Sequence, residues 1–390
     1  MIGISEFSVN RIVLGVGAVE KLGSVLKGLG IRKVLIVTDA FMAEKKLVDP
    51  VLRQVENAGV AFDVFTGVEP NPTEKNAEDC GRALIAGKFH GVIGFGGGSS
   101  MDVAKAGAIL VTNPPPVKRY LGLGNVPKPG IPVIAIPTTS GTGSETTNIA
   151  ILKDDQAGTK GGIISPHVIP LAAIVDPALT LSLPPRMTAS TGMDALCHAV
   201  EGYTSVKATP FTDIFHREAI RRVARSLRIA VNRGDDIDAR CDMSLAATLT
   251  GAGLVVSSAT AVHAMSYALE KYFEVVHGDA CAALLPAVAR YNAVAEMEKF
   301  GEIAILLGEN VEGLSPRDAA LRAADAIGKL ARDVRMPTLR RIGVEEKDLG
   351  KLAEEAIAVT RLMGNNPRVL SLEDVKGMFE DALLRVGSGS

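Results

Sequence analysis

Between Thr191 and Gly278 the chain places one carboxylate and three imidazoles in a pattern that suits a divalent metal. Asp194 and His198 stand four residues apart in MDALCH, His263 follows in AVHAMSY, and His277 in VVHGD. Residues at i and i+4 share a helix face, so Asp194 and His198 can aim an oxygen and a nitrogen at one point. Two further imidazoles would complete an oxygen-and-three-nitrogen set for a borderline metal. Three of the six histidines in the chain fall in this set. The plainer alternative is that an Asp/His pair at this spacing is ordinary helix chemistry, and that His263 and His277 never meet it in space.

A second group of residues suits a nucleotide. In FHGVIGFGGGSSMDVAKA an apolar strand from Gly91 to Phe95 runs into Gly96, Gly97, Gly98, Ser99 and Ser100 and then a helix. Glycines let the backbone approach a pyrophosphate closely, and a helix N-terminus favours an anion. Ser99, Ser100 or Asp102 could cap that helix. The turn is not the G-x-G-x-x-G fingerprint, and tight packing alone would also explain it. In IPVIAIPTTSGTGSETTN a strand from Pro132 to Ile136 leads into a loop, Thr138 to Asn148, built almost wholly of small and hydroxylated residues. Such a loop after a buried strand can bind phosphate, ribose and amide groups, or simply be flexible.

The elements that must position these residues divide the chain near Asp176. Before it, Val- and Ile-rich runs alternate with helical patterns: RKVLIVTDA strand, Lys45 to Ala58 helix, VAFDVFTG strand, Thr73 to Lys88 helix. Near-continuous apolar strands between helices mean a parallel sheet covered on both faces. The opening FSVNRIVLGVGAVEKLG alternates and predicts a hairpin before the first helix. A proline-rich loop spans Asn113 to Gly130. After Pro184-Pro185 strand signals cease and long helices are expected: Met187 to Tyr203, Phe211 to Val231, Asp236 to Gly251, and onward. We therefore expect an α/β nucleotide-binding domain over 1–178 and an all-helical metal-binding domain over 179–390, with the active site in a cleft between them.

Composition sets limits. A chain of 390 residues suits about two domains. With 47% hydrophobic and 22% charged residues it can build a large core. A net charge of −2 points away from nucleic acid and anionic membranes as partners. No apolar run reaches membrane-span length, and MIGISEFSVNR lacks the basic start and apolar core of a signal peptide. Cys80, Cys197, Cys241 and Cys281 are scattered, which reads as reduced thiols in a cytoplasmic protein. Cys197 adjoins His198, but neighbouring helix residues face different ways, so it is not expected to be a ligand. The terminal GSGS reads as a tail.

The motifs EPNPT, GGGSSMDVAK, PTTSGTGSE, DALCHAVE and the His277-Gly278 pair carry a resemblance that runs along the whole chain. The sequence resembles the iron-activated (group III) alcohol dehydrogenases, in the branch with lactaldehyde reductases, propanediol dehydrogenases and NAD-dependent methanol dehydrogenases. The resemblance implies the dehydroquinate synthase-like fold of that family. It implies Asp194, His198, His263 and His277 as ligands of Fe²⁺, with Zn²⁺ as the alternative. It implies NAD as cofactor: Gly97, Gly98 and Ser99 as the pyrophosphate turn, Asp102 near the nicotinamide, Thr138, Thr139, Thr142 and Thr147 as the binding loop, and Lys160 as a further contact. Asp39 follows the first strand of the βαβ pattern, where a carboxylate accepts from a ribose 2′-hydroxyl and repels a 2′-phosphate. It could equally be a helix cap. Asn71 is expected near the adenosine.

Three departures bear on the substrate. Relatives carry H-A-M-A-H, whereas HAMSY puts Tyr267 one turn after His263, as a proton relay or as a wall of the pocket. Leu254, Val255 and Val256 replace an aromatic and asparagines. Cys281 replaces a common asparagine after His-Gly. The expected reaction is hydride transfer between NAD(H) and a small primary alcohol or aldehyde, in a homodimer or larger homo-oligomer. The alternatives are a metal-free NADH reductase, an NAD-using cyclase on the same fold, and a nucleotide-binding scaffold without chemistry.

Overall fold

The computed structural model describes residues 7–154 and 159–384. The GSGS tail lies outside them. The described residues form two compact units, one within 8–182 and the other within 183–384, the latter joined by Phe7.

The Ser8–Ser182 unit is built on a parallel sheet. Its strands are β1 (Arg11–Leu14), β2 (Lys33–Asp39), β3 (Ala61–Val68), β4 (Gly91–Gly96), β6 (Val133–Pro137) and β9 (Ala172–Val175), in the order β1-β9-β6-β4-β2-β3. The central strands β4 and β6 are buried along their whole length. This is why they read as unbroken apolar runs instead of alternating ones. Helices α1 (Leu22–Gly28), α3 (Asp49–Asn57), α4 (Glu74–Ala86) and α5 (Gly98–Ile109) cover the sheet, while the short α2 (Ala40–Glu44) follows β2. One layer of core packs Leu22, Val25, Leu26, Val51 and Val55 against Ile36, Ile93 and Ile134, and another packs Leu84, Val103 and Ala104 against Leu35, Val37 and Val92.

Four details differ from the sequence reading. The opening residues form no hairpin among the described residues; β1 pairs in parallel with β9 at the sheet edge. The helix expected from Lys45 starts at Asp49, because Lys46 turns the chain with φ at 57° and Pro50 fits the first helical turn. The α5 cap is Gly97, with no side-chain cap bond, and Ser99, Ser100 and Asp102 lie inside the helix. A small second sheet, β5 (Gly122–Leu123), β8 (Lys160–Ile164) and β7 (Ile149–Lys153), was not anticipated.

The second unit is helical: no strand follows Val175 among the described residues. Its helices α6 (Pro185–Thr204), α7 (Pro210–Asn232), α8 (Ile237–Ser257), α9 (Ala261–Phe273), α10 (His277–Asn292), α11 (Met297–Leu306) and α12 (Pro316–Asp333) are followed by shorter ones to Leu384. They surround one continuous core that includes Met193, Leu196, Leu227, Met265, Leu284, Phe300 and Phe379. No single helix among the described residues is long and apolar enough to cross a membrane.

Candidate metal centre and nucleotide turn

Three helices of the second unit converge on Asp194. In α6 the spacing of Asp194 and His198 puts both on one face, with His198 Nδ1 3.7 Å from Asp194 Oδ1. From α9, His263 brings Nε2 to 3.7 Å of the same oxygen, and from the first residue of α10 His277 brings Nε2 to 3.5 Å. The rings of His198 and His263 stack with centroids 4.3 Å apart. Gly278 makes this approach possible. A Cβ there would stand 2.1 Å from the Ser190 carbonyl oxygen of α6, so only glycine lets the two helices come this close.

The polar atoms at this point are not satisfied by the protein. Asp194 Oδ1, His198 Nδ1 and His263 Nε2 are all buried without a hydrogen-bond partner among the described residues. A buried polar atom left alone costs about 1–3 kcal/mol, and a shared cation would satisfy the three atoms, whose two nitrogens each stand 3.7 Å from Asp194 Oδ1. Asp194 and His263 are each 3% exposed. The donor set, one carboxylate oxygen and three imidazole nitrogens, fits iron(II) or zinc.

A second layer holds two of the rings. His263 Nδ1 meets Glu201 Oε2, and the other oxygen of Glu201 accepts from Thr260 Oγ1 and the Val262 amide, each at 2.7 Å. His277 Nδ1 donates to Glu270 Oε1 at 2.7 Å. Such carboxylate partners fix the tautomer and leave the opposite nitrogen free for a metal. The sequence reading passed over both glutamates. Glu201 had a signal: it ends DALCHAVE, two turns after Asp194 on the same helix. Glu270 had none, because its partner lies in the next helix.

The charges agree with a cation site. Burial alone would raise the Asp194 carboxyl, but His198, His277 and His263 outweigh it and hold it well below the usual range. Burial pulls His198 down to about 4, so its ring is neutral and has a lone pair to offer at pH 7. Burial would also lower His263 and His277, but anionic neighbours, Cys281 first and then Glu201 and Glu270 respectively, raise both instead. The negative groups that keep a proton on those rings favour a divalent cation in its place. Tyr267, half-buried, lies beside His277 with ring centroids 6.1 Å apart. Cys197 lies behind His263, 3.9 Å from Nδ1, on the side of the ring away from Asp194.

In the first unit, Asp39, the Gly97 turn and the Thr138 loop all follow the carboxyl ends of adjacent parallel strands, β2, β4 and β6. Ligands of open parallel sheets bind at that edge. Gly96 pairs with Pro137 across β4 and β6, and Thr138 N donates to Gly96 O at 2.9 Å, so turn and loop begin side by side. Gly96 takes φ at 142°, and a Cβ there would lie 2.6 Å from Ser100 Oγ. Tight packing thus accounts for Gly96. A Cβ on Gly97 would meet only Thr139, at ordinary contact distance, so packing does not require that glycine. With no side-chain cap, the amides that open α5 are available to an anion.

Asp39 caps α2, accepting from Met42 N at 2.9 Å through Oδ1. Asn71 is exposed with φ at 55°. Asp102 is engaged inside the unit: Oδ1 accepts from Ser144 Oγ at 2.6 Å and Oδ2 from the Ile151 amide at 3.0 Å. Thr147 is buried and Oγ1 accepts from Lys105 Nζ at 3.1 Å, whereas Thr139 and Thr142 remain partly exposed. Lys160 opens β8 and is close enough to Asp102 to act on its charge. The sequence reading missed Lys105. Fully buried, it donates to Ser144 Oγ, Thr147 Oγ1, Thr147 O and Ile149 O and so ties α5 to the hydroxyl-rich loop. Burial lowers it to about 8.

Comparison with known proteins bears on both halves. Residues 9–177 match the family model described as iron-containing alcohol dehydrogenase, and residues 188–383 match the C-terminal model of the Fe-containing alcohol dehydrogenase family. The chain is 39% identical over 385 residues to long-chain-alcohol dehydrogenase 1 of Geobacillus thermodenitrificans, covering 96% of this chain and 97% of that one. It is 36% identical over 372 residues to the NAD-dependent methanol dehydrogenase of Bacillus methanolicus, covering 95% and 97%. The crystal structure of a 1,3-propanediol oxidoreductase superposes with a TM-score of 0.95 at 37% identity, covering 97% of this chain and all of that one. The chain therefore belongs to the iron-containing alcohol dehydrogenase family and is an NAD-dependent oxidoreductase of alcohols and aldehydes.

Proposed function

We propose that Asp194, His198, His263 and His277 hold the catalytic metal, iron(II) or in its place zinc, and that the chain interconverts a small aliphatic primary alcohol and its aldehyde with NAD(H). The observation that carries this is the set of buried, partnerless atoms Asp194 Oδ1, His198 Nδ1 and His263 Nε2, each nitrogen 3.7 Å from the Asp194 oxygen. A divalent metal bound there supplies Lewis acidity to the alcohol or carbonyl oxygen. The protein's own part is positional. Glu201 and Glu270 hold two imidazoles in register, and burial keeps His198 neutral. Gly97, Gly98 and Ser99 offer amides to the pyrophosphate. Thr138, Thr139, Thr142, Thr147 and Lys160 line the cofactor's course, while Asp102 shapes that loop through Ser144. Asp39 takes the ribose hydroxyls while capping α2, and Asn71 lies towards the adenosine.

The relatives named above are a long-chain-alcohol and a methanol dehydrogenase, so their names span a wide range of alcohol size. For this chain we favour an aliphatic substrate, on the strength of Leu254, Val255 and Val256, with Tyr267 bounding its pocket. The free cysteines accord with a cytoplasmic protein, and exposed Val9, Ile12, Leu14 and Val16 along the edge strand β1 and its flanks accord with a homodimer or larger homo-oligomer. The test is to strip metal with a chelator, restore iron(II) or zinc, and assay a panel of small alcohols and aldehydes with NAD(H) and NADP(H). Restored turnover that favours NAD(H) is expected. Full turnover by the stripped protein would overturn the metal reading.

A further inference from the structure

Cys281 stands beside the proposed metal ligands and has no part in the metal reading so far. It lies in α10 one turn after His277, on the same helix face, and is fully buried. Its Sγ is 3.8 Å from His277 Nε2, the nitrogen that faces Asp194. Ligand atoms of Asp194, His263, His277 and Cys281 all lie within 4.8 Å of one another. Bonds of about 2.3 Å to sulfur and about 2.0 Å to nitrogen in a tetrahedral centre put those two atoms roughly 3.5 Å apart. The Sγ–Nε2 pair is therefore a few tenths of an ångström from the spacing of two atoms bound to one metal, and the candidate ligand atoms of Asp194 and His263 lie within 4.8 Å of the thiol. A buried cysteine is often just a small apolar side chain. Here, though, its neighbours include Asp194 Oδ1 and His263 Nε2, both buried and lacking partners.

We propose that Cys281 is a further protein ligand of the metal centre, adding a sulfur donor to the carboxylate and imidazoles. The proposal rests on the reading of Asp194, His263 and His277 as ligands. Asp194, His263 and His277 then belong to two overlapping sets of donors, one completed by His198 and the other by Cys281. Coordination breaks the S–H bond, forms a metal–sulfur bond and releases the proton to water, with no change of oxidation state. A thiolate is a soft donor, so it biases the centre towards zinc or cobalt(II) and away from iron(II), relative to an oxygen-and-nitrogen set alone.

The experiment uses cobalt(II) as the probe metal. The full-length protein is stripped, loaded with cobalt(II), and its absorption spectrum recorded for the wild type, Cys281→Asn, Cys281→Ala and Cys197→Ser. Cys197 is the control because its thiol also lies near His263. Weak visible d–d bands report bound cobalt, and an intense near-ultraviolet band reports a thiolate–cobalt bond. The expected result is both signals in the wild type and Cys197→Ser, and loss of the near-ultraviolet band alone in both Cys281 variants. Cobalt affinity, measured by competition with a chromophoric chelator, should fall by at least about tenfold in those variants, since even outer partners of metal ligands are worth that much. Wild-type d–d bands without the near-ultraviolet band would overturn the inference while leaving the metal centre intact. A band that survives Cys281→Asn would assign the sulfur elsewhere and also overturn it. No cobalt bands in the wild type would overturn the metal centre itself.

Discussion

The nucleotide turn and the metal centre are assembled in opposite ways. The turn is contiguous: a strand, three glycines and a helix in one run, with a hydroxyl-rich loop beginning on the neighbouring strand. The groups it would offer a nucleotide are largely backbone amides, and its side chains hold the loop in shape, as Lys105 and Asp102 do through Ser144. The proposed metal centre is dispersed: its candidate ligands come from α6, α9 and α10, and a glutamate stands behind each of two imidazoles. A site made of backbone should tolerate side-chain changes in small steps. A site made of converging side chains should fail abruptly when one is removed.

The sharpest break is expected at His263. His263→Ala should empty the centre and lower kcat by more than about a thousandfold, while NADH affinity, measured by fluorescence titration, stays within about twofold. Loss of both together would mean that the two halves are not separable in this way.

Lys105→Met tests the cofactor half through pH. The buried lysine has its value lowered to about 8 against an ordinary 10.5. Below about 8 it is charged in both states and burial of that charge costs stability. Between about 8 and 10.5 the unfolded chain binds the proton and the folded protein does not, so wild-type stability gains about 1.4 kcal/mol per pH unit from this group. Urea unfolding of Lys105→Met should lack that rise; equal slopes for the two proteins would show that Lys105 does not titrate this way.

Glu201→Gln keeps the shape but removes the charge behind His263. Metal affinity should drop by roughly ten- to a hundredfold with the fold intact, and unchanged affinity would reduce Glu201 to a packing role. Asp39→Asn is expected to act more gently. Asparagine retains the cap on α2, so only the charge near the ribose is lost, and the preference for NAD over NADP should relax by about tenfold. An unaltered preference would place Asp39 away from the ribose. Smallest of all, Tyr267→Phe should leave kcat within about twofold of wild type, because a phenol is a poor acid–base group near neutral pH. A fall of tenfold or more would make its hydroxyl a relay and not a wall.

Legibility follows the same division. The apolar runs of β2, β4 and β6 could be read as buried parallel strands because each is buried nearly end to end. The long helices α6 and α7 were plain from their Pro starts and from the absence of strand signals after Pro184-Pro185. The hairpin expected at the N-terminus failed because alternation specifies a strand but not its partner, and β1 pairs with β9 from the far end of the unit. The same applies to the small β5-β8-β7 sheet, whose strands are short and of which β5 and β8 carry glycine.

Within the candidate sites, the sequence by itself put forward the donors and the turn. Asp194 and His198 are bound to share a face by helix geometry, and the strand-to-helix run around Gly97 is local. Only the tertiary structure decided that His263 and His277 reach Asp194, that Gly278 lets α10 close on α6, and that Glu201 and Glu270 stand behind the rings. It alone turned Cys281 from a departure noted in the sequence into a neighbour of the proposed metal ligands. The physical reason is range. Helical spacing and backbone freedom act over a turn or two of chain, whereas coordination and buried hydrogen bonds depend on distances that only packing between separate helices can set.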